Sequence, residues 1–92
     1  MKVRALKVPP NHNIRAALGR TVRRWRKSLK LSQGDLALRS GLHRTYISEV
    51  EHGYRNISLE GIHKIARALQ TTEALLLTFE PNEQEDVHNG AL

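Results

Sequence analysis

Five residues between positions 44 and 52 carry the side chains best suited to chemistry at a surface. At about 100° per residue, Arg44, Thr45, Ser48, Glu49 and His52 fall in roughly one half of a helical wheel, and Ile47 and Val50 in the other. The polar set mixes donors and acceptors of short and long reach, which is what reading base edges in a DNA groove requires. Arg44 can bond O6 and N7 of a guanine together, Thr45 can meet a thymine methyl or donate its hydroxyl, and Glu49 can accept from a cytosine amino group. Glu49 would also repel phosphates, so a badly placed site is penalised. The plain alternative is a solvated helix face. Catalysis finds no such cluster: His12, His43, His52, His63 and His88 are never three or four apart, and neither an acid pair nor an activated serine emerges. The six glycines are too scattered to cradle a phosphate. No enzyme activity, cofactor or metal is expected.

The elements that must hold this face are two short helices between Gln33 and Val50. With Gln33 counted first, Ala37 is fifth, Gly41 ninth, Ile47 fifteenth and Val50 eighteenth. Helices crossing at about 90–120° need a side chain as small as Ala37 where they approach. Gly41 suits the left-handed turn that ends the first of them. Ile47 and Val50, three apart, share the side that packs back, and the opposite side is free to touch something else.

Ninety-two residues suit one domain with a single small core. Without cysteine, neither a disulfide framework nor a thiolate metal site is available. No apolar run approaches the roughly 18 residues of a membrane span, and no apolar stretch follows the basic amino terminus to make a signal peptide. A cytoplasmic, nucleoid-associated protein is the expectation. The net charge of +6 is unevenly placed: residues 1–30 hold ten Lys/Arg and no acid, whereas residues 71–92 hold five acids and no Lys/Arg. Such polarity favours a polyanion partner at one end, nucleic acid before an anionic membrane.

Along the chain, Val8-Pro9-Pro10-Asn11 interrupts any helix, and residues 1–13 read as a basic arm, either a solvated tail or a segment reaching DNA phosphates or a minor groove. Asn13 is placed to cap a first helix to about Leu29, on which Ile14, Leu18, Val22, Trp25 and Leu29 make one apolar stripe. Trp25 on that stripe reads as core. Ser32, with Asp35 three residues on, makes a shortened capping box for a second helix, Gln33 to Ser40. The third starts near His43 or Arg44 and stops at Gly53. Ser58 caps a fourth, Leu59 to about Leu69, with Ile62, Ile65, Ala66 and Leu69 inward. Thr72 caps a fifth, from Glu73 to about Phe79, with Pro81 barring more. Residues 81–92 read as an acidic, disordered tail.

Several motifs over about 60 residues resemble the lambda-repressor-like helix-turn-helix domain of the Cro/repressor, or XRE, regulators. They are Leu31-Ser32-Gln33, Asp35-Leu36-Ala37, Gly41-Leu42, Tyr46-Ile47-Ser48, Glu51-His52-Gly53, Arg55-Asn56 with Ser58-Leu59, and Ile65-Ala66-Arg67-Ala68-Leu69. Within that family, Arg44-Thr45-Tyr46-Ile47-Ser48 is similar to the recognition helix of restriction-modification controller proteins. The resemblance implies an all-α, five-helix domain over residues 14–80 and sequence-specific binding to double-stranded DNA, as a transcriptional repressor or autoregulator.

Position by position, it implies base contacts from Arg44, Thr45, Ser48 and Glu49. Phosphate contacts would come from Gln33 at the start of the second helix, Tyr46 at the edge of the face, and Arg55 and Asn56 in the following loop. Arg26 and Glu51 match a pair that the family buries between its first and third helices. A symmetric homodimer through the fourth and fifth helices would set two recognition helices about 34 Å apart. Three residues depart from the pattern: His43 replaces the usual Ser, Thr or Asp cap, Ile57 stands where proline is common, and Gly61, inside the fourth helix, costs roughly 1 kcal/mol against alanine. A second reading is an antitoxin or partner-binding adaptor, because Leu75, Leu76, Leu77 and Phe79 are more apolar than the last helix of a monomer needs. The same residues serve a dimer mate in the first reading.

Overall fold

Side-chain caps start four of the five helices, and left-handed residues close four of them. The computed structural model describes residues 13–79, which form α1 (Ile14–Ser28), α2 (Gln33–Ser40), α3 (Arg44–Glu51), α4 (Leu59–Ala68) and α5 (Glu73–Leu76). Beyond Asn13, the arm and the acidic tail lie outside the described residues. Asn13, Ser32, Ser58 and Thr72 each accept the amide of the residue three ahead, satisfying a donor that has no partner within the helix. The box on α2 is reciprocal: Asp35 N donates to Ser32 Oγ and Ser32 N to Asp35 Oδ2, both at 2.9 Å. The Ser32 amide first, and then the Ser32 hydroxyl, hold the Asp35 carboxyl below its ordinary value. His43 begins α3 with no side-chain cap bond.

The helix ends share one closure. Leu31 N bonds Arg26 O, Leu42 N bonds Ala37 O, Tyr54 N bonds Glu49 O and Thr71 N bonds Ala66 O, a six-to-one pattern each time. The residue before each donor is left-handed: Lys30 at φ 60°, Gly41 at 74°, Gly53 at 75° and Gln70 at 60°. Two are glycines, as the turn prefers. Lys30 and Gln70 take the same conformation with side chains attached.

The core gathers at the centre of the five helices. Val22, Leu36, Ile47, Ile65, Leu69 and Leu76 are fully buried, with Leu18, Ala37 and Val50 beside them. α3 packs on α1 and α2, α2 also meets α4, and α5 bridges α4 and α1. Trp25 is half-buried against the core. Ile14 does not join the stripe expected of it; at the first position of α1 it is 55% exposed. α5 stops at Leu76 and not near Phe79, because Thr78 N turns to the carbonyl of Leu75 and its hydroxyl to that of Ala74.

Two glycines are there for space. A Cβ on Gly19 would stand 2.5 Å from Val50 O and 2.6 Å from Glu51 O, so α1 lies directly on the backbone at the end of α3. On Gly61 it would stand 2.6 Å from Tyr46 Oη. Gly61 is therefore no gratuitous cost to α4, as the sequence suggested; it makes room for the α3 tyrosine. A Cβ on Gly34 would meet only ordinary contacts. Thermal denaturation should place Gly19→Ala about 1–3 kcal/mol below the parent, with Gly34→Ala equal or up to about 1 kcal/mol above it. Equal stability for Gly19→Ala would contradict the α1–α3 contact.

Candidate nucleic-acid interface

What fixes α3 in place is a carboxylate at its last turn. Glu51 Oε2 accepts from Arg26 Nε at 2.6 Å, and Oε1 accepts from Arg26 Nη2 at 2.9 Å and from Gln33 Nε2 at 3.1 Å. Arg26 Nη1 reaches the carbonyl of Leu31 at 2.8 Å. The ion-paired side chains are only 10% and 3% exposed, and the bond to Glu51 raises the Arg26 pKa still further. One cluster of Arg26, Glu51 and Gln33 thus ties α1, α2, α3 and the α1–α2 turn together. Gln33, expected at a phosphate, uses its amide nitrogen inside this cluster.

With its inner side clamped, α3 turns the other outward. Ile47 and Val50 are buried, Arg44 and Thr45 are exposed, and Tyr46, Ser48 and Glu49 are half-buried. The Arg44 stem runs along the first turn of α2, its Cδ 4.0 Å from where a Gly34 Cβ would be. A shallow concavity between α2 and the start of α3 is lined by Gly34, Leu38, His43 and Arg44. Leu38 on its rim is 84% exposed.

The far end of the face is a network that sequence spacing did not resolve. Glu49 Oε1 accepts from Arg55 Nε at 3.0 Å and Nη2 at 2.7 Å. The Arg55 guanidinium lies over the Tyr46 ring, 4.6 Å from its centre. His52 Nδ1 lies 2.7 Å from Ser48 O, and its ring stacks on Tyr54. Tyr54, 75% exposed, was missed because nothing in the spacing aligns it with α3. Asn56 is exposed beside Arg55. No group of three or more His, Asp or Glu side chains able to hold a metal occurs among the described residues.

A helix-turn-helix family model matches residues 22–76, from the middle of α1 to the end of α5. The chain belongs to the helix-turn-helix family. It is 48% identical over 69 residues to the control protein C.BamHI of Bacillus amyloliquefaciens, covering 74% of this chain and 85% of that protein. The restriction-modification controller protein C.AhdI of Aeromonas hydrophila superposes with a TM-score of 0.69 at 40% identity, over 71% of this chain and 98% of that one. The controller C.Esp1396I, as a tetramer in complex with its natural 35-base-pair operator, superposes at 0.65 with 27% identity, over 68% and 83% of the two chains. The all-α, lambda-repressor-like fold and its membership make this a sequence-specific DNA-binding transcription regulator, not an enzyme. No helix among the described residues is long and apolar enough to cross a membrane.

At the last helix the residues expected at a dimer interface divide between core and surface. Leu76, expected at a dimer interface, is fully buried within its own chain, and Phe79 is partly buried against the same core. Leu75 and Leu77 point outward instead, 52% and 41% exposed, as does Leu59 of α4 at 78%. On a helix one turn long, only one residue in three or four can face inward, and Leu76 takes that place.

Removing one partner of the Arg26–Glu51 pair strands a buried charge. Glu51→Gln should therefore lose about 3–5 kcal/mol in denaturant titration, whereas the apolar double change Arg26→Met with Glu51→Leu should recover most of it. A double variant as unstable as the single one would mean that the pair supplies more than charge compensation.

Proposed function

We propose that the protein is an operator-binding homodimer of the restriction-modification controller type, acting as a repressor or autoregulator in the cytoplasm. The observation that carries the reading is the α3 surface: Arg44 and Thr45 stand exposed and Ser48 half-exposed, while Ile47 and Val50 anchor the helix from behind. A helix so held can enter a major groove with its first turns against base edges. Arg44 reads a guanine, Thr45 and Ser48 the neighbouring pairs, and Arg55, Asn56 and Tyr46 hold the flanking backbone. Gln33 joins them at the start of α2, its carboxamide anchored by Glu51. The operator named for C.Esp1396I supports DNA as the partner. Leu75 and Leu77, with Leu59, supply the apolar contact between copies, and two recognition helices about one DNA turn apart read a palindrome.

Selection of bound duplexes from random DNA should return paired half-sites centred about 10 base pairs apart. Against the selected duplex, Arg44→Ala should lose about 1–3 kcal/mol and relax the preference at a single guanine. Loss of equal size on matched and mismatched duplexes would remove Arg44 from the base-reading set. Sedimentation at micromolar concentration should show a dimer, and Leu75→Glu should shift it to monomer with the melting temperature retained. A monomeric parent, with and without DNA, would defeat the two-half-site arrangement.

A further inference from the structure

Arg55 is held from two sides, and one of its partners is itself fixed. Glu49 accepts two of its N–H groups, the Tyr46 ring lies beneath its guanidinium, and that ring is itself set against Gly61, where even a methyl group would meet the phenol oxygen. In the free protein, then, the carboxylate of Glu49 takes two of the five guanidinium donors, Nε and one on Nη2, the side edge with which Arg55 would otherwise grip a DNA phosphate through two bonds. Glu49 also stands on the α3 face, its side chain 39% exposed against 43% for Arg55, so both groups are open to solvent and ligand.

We infer that the Glu49–Arg55 pair is a specificity latch: Arg55 is given up to a DNA phosphate only where the Glu49 carboxylate finds a base donor to replace it. The inference rests on the reading of α3 as the base-reading helix. Its logic is an exchange of partners. A carboxylate accepts and does not donate, so with Arg55 removed and no base amino group opposite, Glu49 would be left unpaired close to phosphates, an unfavourable placement. A cytosine or adenine amino group at that step satisfies it, and the released guanidinium then makes a charge-assisted bond to the backbone. The phosphate contact of Arg55 thereby becomes dependent on sequence, although phosphates themselves carry none. Exposure keeps the latch reversible, since a solvent-exposed ion pair is weakly held.

The experiment compares Arg55→Ala with the parent on the selected duplex and on a scrambled duplex of equal length. A latch predicts that Arg55→Ala lowers affinity about tenfold on the selected duplex, with a log–log salt slope smaller by about 0.9, and leaves the scrambled duplex nearly unchanged. In a Glu49→Gln background Arg55 is no longer retained, and the same change should weaken both duplexes alike. Glu60→Gln, the same loss of charge on the exposed first turn of α4, should leave the difference between duplexes in place. Equal losses from Arg55→Ala on both duplexes with Glu49 present would overturn the latch, as would persistence of the difference in the Glu49→Gln background. If the parent protein itself shows no preference between duplexes, the base-reading assignment of α3 is what fails. The parent and Arg55→Ala comparison stands without the Glu49 variant, and melting curves identify any variant that does not fold.

Discussion

Everything on the outward face depends on a carboxylate that never reaches it. Glu51 closes the last turn of α3 by accepting from Arg26 on α1 and Gln33 on α2, while Gly19 lets α1 rest on the α3 carbonyls at the same level. Apolar contacts alone are non-directional and would permit α3 to roll. Charge-assisted, paired bonds from a planar guanidinium fix both direction and register. With the helix so fixed, Ile47 and Val50 cannot trade places with Thr45 and Ser48.

Much of this was legible beforehand because it depends on local rules. Asn13, Ser32, Ser58 and Thr72 announce helix starts through short-range hydrogen bonds, and Gly41 and Gly53 announce ends through backbone freedom. The bounds of α2 agree with expectation, and α1, α3 and α4 differ by about one residue at an end. What could not be read depends on three-dimensional neighbours. Lys30 and Gln70 give no hint of a left-handed turn in their residue types. Gly61 looks like a defect in α4 until Tyr46 is seen against it. Leu76 and Leu75 are indistinguishable as letters, yet one is core and the other is surface. On the interface, periodicity identified which side of α3 faces out, but not that Glu49 and Arg55, six apart and on different elements, would find each other.

The two acidic residues of α3 illustrate how burial divides one chemistry into two roles. Glu51, almost wholly enclosed, is structural because its charge is paired by Arg26 on α1 and hydrogen-bonded by the Gln33 amide on α2. Glu49 sits two residues earlier, on the accessible flank, with a single arginine partner and solvent beside it. The first must stay paired for the domain to hold its shape, whereas the second can change partners at modest expense. A basic surface that attracts any polyanion gains discrimination from an accessible negative group, since attraction alone does not distinguish one sequence from another.

The left-handed residue at Lys30 shows a compromise of a different kind. A glycine there would relieve a strain of roughly 1 kcal/mol, and the two turns around α3 have taken that course with Gly41 and Gly53. The α1–α2 corner instead keeps a long cationic side chain, exposed to water, at the end of a helix already crowded with arginines. Conformational ease has been yielded for electrostatic reach, as is common where proteins sit above a stability threshold and have some to give away. The corner thereby extends the positive field of α1 past its last turn, and an approaching duplex senses the molecule before any base is within bonding distance.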